Sequence, residues 1–186
     1  GKAAGTIGFL TARILTTSEV AGFVLSAMPP HAIDDTWSRK NLVYGAMRGL
    51  ADDPARSYVI NEIKKELAEK RLAEVLQLAP FAASTWSLVD QLSDVAQAAY
   101  WLGVAPNWDV QNDEEMNDGI RRLLKAKRPR AAFALVNFRL EKVIPNLLYQ
   151  LMTDIAVGGD EQAGHYQLDQ WRISEAFRLL DKSKEF

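Results

Sequence analysis

Apolar residues recur at intervals of three and four along nearly the whole chain, and apolar–polar alternation never persists long enough to make a strand. Ile60, Ile63 and Leu67 form one stripe; Leu72, Val75, Leu76 and Ala79 form another. A period near 3.6 marks a helix buried on one face, whereas a half-buried strand has a period of two. The chain is therefore expected to be all-α. The two stripes differ in phase, because extending the first would bury Lys70, Arg71 and Glu74. A break or kink is accordingly expected near Ala68 to Lys70.

Prolines punctuate the pattern. Pro29, Pro30, Pro54, Pro80, Pro106 and Pro129 fall at near-regular intervals, each at the edge of a periodic segment. A proline inside a helix costs about 3 kcal/mol but is tolerated in the first turn, so these positions read as boundaries. Thr16 and Glu19 have capping-box spacing, Asp52-Asp53-Pro54 reads as a cap followed by a first-turn proline, and Gly158-Gly159 should end a helix. Pro145 is read as a new start. Helices are expected near 6–15, 17–28, 34–50, 54–67, 69–79, 84–92, 93–104, 113–127, 130–143, 145–157 and 166–182. Ten or eleven helices joined by short connections favour stacked antiparallel hairpins in one α-solenoid-like domain over 1–186. Leu76-Gln77-Leu78-Ala79-Pro80 echoes Leu102-Gly103-Val104-Ala105-Pro106, and the small residues Ala131, Ala132 and Ala134 suit close helix crossings.

Composition narrows the chemistry. The 186 residues include no cysteine and only two histidines, with 24 acidic against 22 basic side chains and 48% hydrophobic residues. A thiol nucleophile, a thiolate zinc site and an iron–sulfur cluster are excluded. A net charge of −2 argues against a surface wholly given over to phosphates. The apolar window from Gly5 to Met28 is broken by Arg13, Glu19 and the hydroxyl residues Thr6, Thr11, Thr16, Thr17 and Ser18, so it reads as core helices rather than a membrane span or a secretory signal. Cytoplasmic residence is expected from the missing disulfides. The Gly1-Lys2-Ala3-Ala4 start is read as an excised segment of a larger protein.

Several runs look familiar. Thr85-Trp86-Ser87-Leu88-Val89, the pair Tyr100-Trp101 followed by Pro106 and Trp108, the run from Arg122 to Phe133, and Tyr166 through Leu180 resemble an α-helical repeat region of large, functionally uncharacterised bacterial proteins. The resemblance covers roughly residues 70–182. It implies a TPR-like or HEAT-like stack within a multidomain protein and brings no catalytic residues with it.

Charge is segregated in blocks. Asp109, Asp113, Glu114, Glu115 and Asp118 precede a run holding Arg121, Arg122, Lys125, Lys127, Arg128, Arg130, Arg139 and Lys142 against Glu141 alone. Such a block docks a phosphate backbone or an acidic partner. It is equally what the macrodipole of a helix over 113–127 selects, acids at the N-terminus and bases at the C-terminus, at about 0.3–1 kcal/mol each. Only Phe133 and Phe138 lie within it, and both suit a helix interior rather than a base-stacking platform. Aromatics gather instead at Trp86, Tyr100, Trp101 and Trp108; Trp86 and Trp101 are expected in the core, while Trp108 lies in a loop open to a partner.

No ligand constellation emerges. Glu114 and Glu115 are adjacent and have no histidine three or four residues away; Asp34 and Asp35 are adjacent and follow His31 at three and four, but that histidine stands next to Pro29-Pro30 in what reads as a turn. His31 follows Pro29-Pro30 and His165 follows a glycine-rich loop, positions suited to solvation or capping. The glycines of residues 1–8 lack P-loop order, so neither cofactor nor metal is expected. The reading is a non-enzymatic helical-repeat module. It would bind a protein, a peptide or neighbouring domains of its parent through Arg121, Arg122, Lys125, Lys127, Arg128, Arg130 and Trp108, away from any membrane. Nucleic-acid binding through 121–130 is the alternative, and an all-α enzyme using carboxylates is the second.

Overall fold

The computed structural model describes residues 2–28, 36–50, 52–106, 112–136, 139–158 and 168–183. Among these, every regular element is a helix: α1 (Lys2–Ile14), α2 (Thr17–Ala27), α3 (Trp37–Gly49), α4 (Asp53–Lys64), α5 (Glu69–Leu76), α6 (Ala83–Val89), α7 (Asp94–Gly103), α8 (Asp113–Lys125), α9 (Pro129–Val136), α10 (Pro145–Val157) and α11 (Gln170–Ser183), with one 3-10 turn at Leu140–Lys142. The all-α expectation holds. Of the helix expected over 130–143, α9 accounts for Pro129–Val136, residues 137–138 lie outside the described residues, and the later turn at Leu140–Lys142 is 3-10. Positions 34–35 and 166–167, expected to open two helices, lie outside the described residues, as do His31, His165 and Gly159.

The boundaries follow the local chemistry. At α2, Thr16 Oγ1 accepts from the Glu19 amide at 3.4 Å while the Glu19 carboxylate accepts from the Thr16 amide at 2.8 Å, which completes the capping box. At α4, Asp52 Oδ1 accepts from the Ala55 amide at 2.8 Å and Pro54 sits in the first turn. The phase break between the two apolar stripes falls between α4 and α5, where the helix ends at Lys64 and restarts at Glu69. Pro145 opens α10, and Gly158, at φ 92°, closes it.

The chain divides into two compact units, Gly1–Pro80 with Ser84–Tyr100, and Phe81–Ala83 with Trp101–Phe186. In the first, α1 lies along α3 and α2 along α4, so the main packing runs to the next-but-one helix; α2 also meets α3. Its core is built from Val20, Val24, Met28, Val43, Met47, Val59, Ile63, Leu72, Val75, Leu76 and Trp86. Gln77 Nε2 donates to the Ala99 carbonyl at 2.9 Å, and the Glu69 carboxylate accepts from the Ser93 amide, which precedes α7, at 3.3 Å. In the second unit α8, α9 and α10 pack on one another and α11 on α10, around Phe81, Met116, Ile120, Leu123 and Val136. Buried Asn117 ties the start of α10 in place: its Nδ2 donates to the Lys142 carbonyl at 3.1 Å and its Oδ1 accepts from the Ile144 amide at 3.0 Å.

The tightest joint is the α1–α3 crossing. A methyl group on Gly8 would stand 2.0 Å from the Leu42 carbonyl oxygen, one on Gly45 would stand 2.0 Å from that of Gly5, and one on Gly49 would stand 2.4 Å from that of Phe9. Backbone thus touches backbone, and only hydrogen fits at these positions. We expect Gly45→Ala to lower the stability of the first unit by about 1–3 kcal/mol, since α1 must back away from α3. Gly22, in α2, has nothing within 4 Å of an added methyl. Gly22→Ala should therefore raise stability by about 0.5–1 kcal/mol. Chemical denaturation of the two variants reads the contrast.

Acid should loosen the caps. The hydroxyl and amide of Ser93 hold the Glu69 carboxyl below its ordinary 4.5, and the amide and hydroxyl of Thr16 do the same for Glu19. A depressed folded-state value means that the contribution is present above 4.5 and lost as pH falls through the lower folded value. The Glu69→Gln chain should consequently lose less stability than the parent between about pH 5 and about pH 3, measured by the denaturation midpoint.

Candidate functional site

The basic block does not form one face. On α8, residues 114, 118, 121 and 125 recur at four, three and four, so Glu114, Asp118, Arg121 and Lys125 share the outward side and mix both signs of charge. Arg121 and Lys125 are exposed. Arg122 Nε donates to Asp118 at 2.8 Å, and its guanidinium lies 5.7 Å from the centre of the Trp101 ring. Trp101 meets Phe81 edge-to-face at 6.3 Å and is buried, as is Trp86, so both occupy the core positions expected of them. Arg130 is half-buried. Trp108 and Phe138 lie outside the described residues.

Arg128 is 1% exposed and cannot serve an external partner. Its Nη1 donates to the carbonyls of Trp101 at 2.8 Å and Val104 at 2.6 Å, the C-terminal end of α7, where a cation also meets the negative pole of the helix dipole. The inward turn has a local cause. The Arg128 amide bonds back to the Leu123 carbonyl and the Lys127 amide to that of Leu124, which is a Schellman closure of α8 with Lys127 at φ 60° in the place glycine usually takes. That reversal aims Arg128 into the core, and Pro129 then starts α9. The charge gradient of α8 obeys the same logic: Asp113, Glu114 and Glu115 occupy its first turn and Arg122 and Lys125 its last.

A recess of about 230 Å³, open to solvent, is lined by Met47, Arg56, Ser57, Ile60, Ser84 and others, with Asp53 its one acid. Arg56 pairs with that carboxylate and Ser84 Oγ donates to it at 3.0 Å; the Arg56 contact holds it below its ordinary range. Among the described residues no three His, Asp or Glu side chains gather as a metal would require, and no helix is long and apolar enough to cross a membrane.

The conspicuous surface lies on α1, where the sequence pointed to core. Ile7, Leu10 and Ile14 are 55%, 52% and 81% exposed, and Ala3 is exposed beside them. Residues 3, 7, 10 and 14 follow a spacing of four, three, four, the repeat of a helix-pairing seam. They stand outward because Gly5, Gly8 and Ala12 turn the opposite side of α1 onto α3. Apolar content alone could not reveal this, since a stripe of glycine and alanine buries as readily as one of isoleucine when backbones touch. No family model matches the chain, and neither does any curated protein or solved structure.

Arg128→Ala should destabilise the second unit by about 2–5 kcal/mol through lost packing and two carbonyls stripped of a charged donor. Arg121→Ala and Lys125→Ala should stay within about 0.5 kcal/mol, and Lys127→Gly should gain about 1 kcal/mol by relieving the left-handed backbone. Urea unfolding curves of the four variants distinguish these outcomes.

Proposed function

We propose that the chain is a non-enzymatic interaction module of a larger bacterial protein, a helical-repeat scaffold working in the cytoplasm that presents the outward face of α1 to a protein partner. One observation carries the reading: three large aliphatic side chains on a single helix face are left half or more exposed. Contiguous apolar surface of that kind is characteristic of a contact awaiting its other half. The next-but-one packing of α1 on α3 and α2 on α4 is what stacked repeats produce, and supports the scaffold part of the reading. A docking role for phosphates through residues 121–130 is less well supported, because Glu114 and Asp118 share the outward face with Arg121 and Lys125, and Arg128 is consumed inside.

The test is site-specific photo-crosslinking in cells that express the chain, with a photoreactive residue at position 10 or 14 and, for comparison, at the exposed position 65 of α4's end. The expected result is a discrete protein adduct from positions 10 and 14 and none from 65. Equal, diffuse labelling from all three, or no adduct at all, contradicts the proposal.

A further inference from the structure

We infer that the occupant of the α1 seam is an acidic amphipathic helix of a protein partner, lying alongside α1 in the manner of a two-stranded coiled coil. The inference rests on the interaction-module reading and adds the chemistry of the partner. Its first support is charge. α1 carries Lys2 and Arg13 and has no aspartate or glutamate. Residues 2, 6 and 13 recur at four and seven, so Lys2, Thr6 and Arg13 run down one flank of the seam. In a helix pair the flanking positions choose the partner, and an all-basic flank selects acids opposite. A second copy pairing through its own α1 would bring the same bases and no acid on that helix.

The second support is width. At 100° per residue, Leu10, Ala3, Ile14 and Ile7 fall within roughly 60° of the α1 circumference. Phe9, also exposed on α1, stands apart from them across Lys2, Thr6 and Arg13, so the seam is a narrow knobs-into-holes stripe rather than the unbroken apolar face of at least about 100° by which a helix lies on a lipid surface. Rigidity is the third. The backbone contacts of Gly5, Gly8 and Gly45 fix α1 before any partner arrives. Little ordering is then required of this side on binding. Leu10 and Ile14 are exposed and lie outside the buried core, so substitutions there leave the fold in place.

Binding of the full chain to two synthetic helical peptides tests the inference. Both carry the same leucine and isoleucine seam; one has glutamate and the other lysine at every flanking position. Fluorescence anisotropy should show the glutamate peptide binding at least about tenfold tighter than the lysine peptide, with the advantage shrinking in high salt. Leu10→Glu should abolish binding, and Arg13→Glu should erase or reverse the preference. Equal affinity, or preference for the lysine peptide, overturns the acidic partner while leaving the seam an interaction surface. Sedimentation showing that the chain self-associates, with Leu10→Glu dissociating it, overturns it in favour of a second copy. Co-pelleting with phosphatidylserine vesicles but binding to neither peptide overturns it in favour of a membrane. Failure of the seam to bind peptide, vesicle or itself overturns the interaction reading as well.

Discussion

Direct contact between the backbones of α1 and α3 governs the first unit. Gly8 against the Leu42 carbonyl and Gly45 against that of Gly5 allow no side chain between the two helices. The approach has a geometric consequence beyond packing. A helix that spends its smallest residues on its partner must place its larger ones elsewhere, and on α1 these are Ile7, Leu10 and Ile14. The exposed seam and the glycine joint are thus two sides of one decision, because burying the aliphatic face instead would hold the helices apart by the width of those side chains.

In the second unit polar groups do the organising. Arg128 satisfies the end of α7, Asn117 fixes the entry to α10, and the Glu115 carboxylate accepts from the Ala83 amide at 2.6 Å. The Arg128 and Asn117 contacts satisfy buried or part-buried groups that would cost about 1–3 kcal/mol to leave unpaired. The basic segment 121–130 therefore splits by role. Lys125 and Arg122 complement a helix dipole, Arg122 also covers the Trp101 ring, Lys127 turns the chain and Arg128 caps another helix. Counting charges along the sequence adds these unlike tasks into one apparent patch.

Much of the fold was legible because it depends on local chemistry. The capping box at Thr16, the Asp52 cap, the break before Glu69, the start at Pro145 and the stop at Gly158 are all decided within a few residues. Trp86 and Trp101 were likewise readable as core from their place on apolar faces. What could not be read was which side of a helix meets another. The window from Gly5 to Met28 reads as uniformly core, and that is right for Val20 and Val24 of α2 but wrong for the outward face of α1. Glycine carries no hydrophobic signal, so Gly5, Gly8, Gly45 and Gly49 are visible as an interface only once the two helices are laid together. Arg128 was hidden for a similar reason: its inward direction comes from a left-handed Lys127, a conformation that lysine does not advertise.

The central claim is that α1's aliphatic face is open in the chain itself and closed by a partner. Because the sequence has no cysteine, single cysteines at positions 7, 10 and 14, with position 47 as a buried reference, give an unambiguous measure of thiol-labelling rate. The account predicts fast labelling at all three seam positions in the isolated chain, slow labelling at position 47, and protection of the seam when the same variants are labelled inside cells. Slow labelling of positions 7, 10 and 14 in the isolated chain, or equal rates inside and outside the cell, would contradict it.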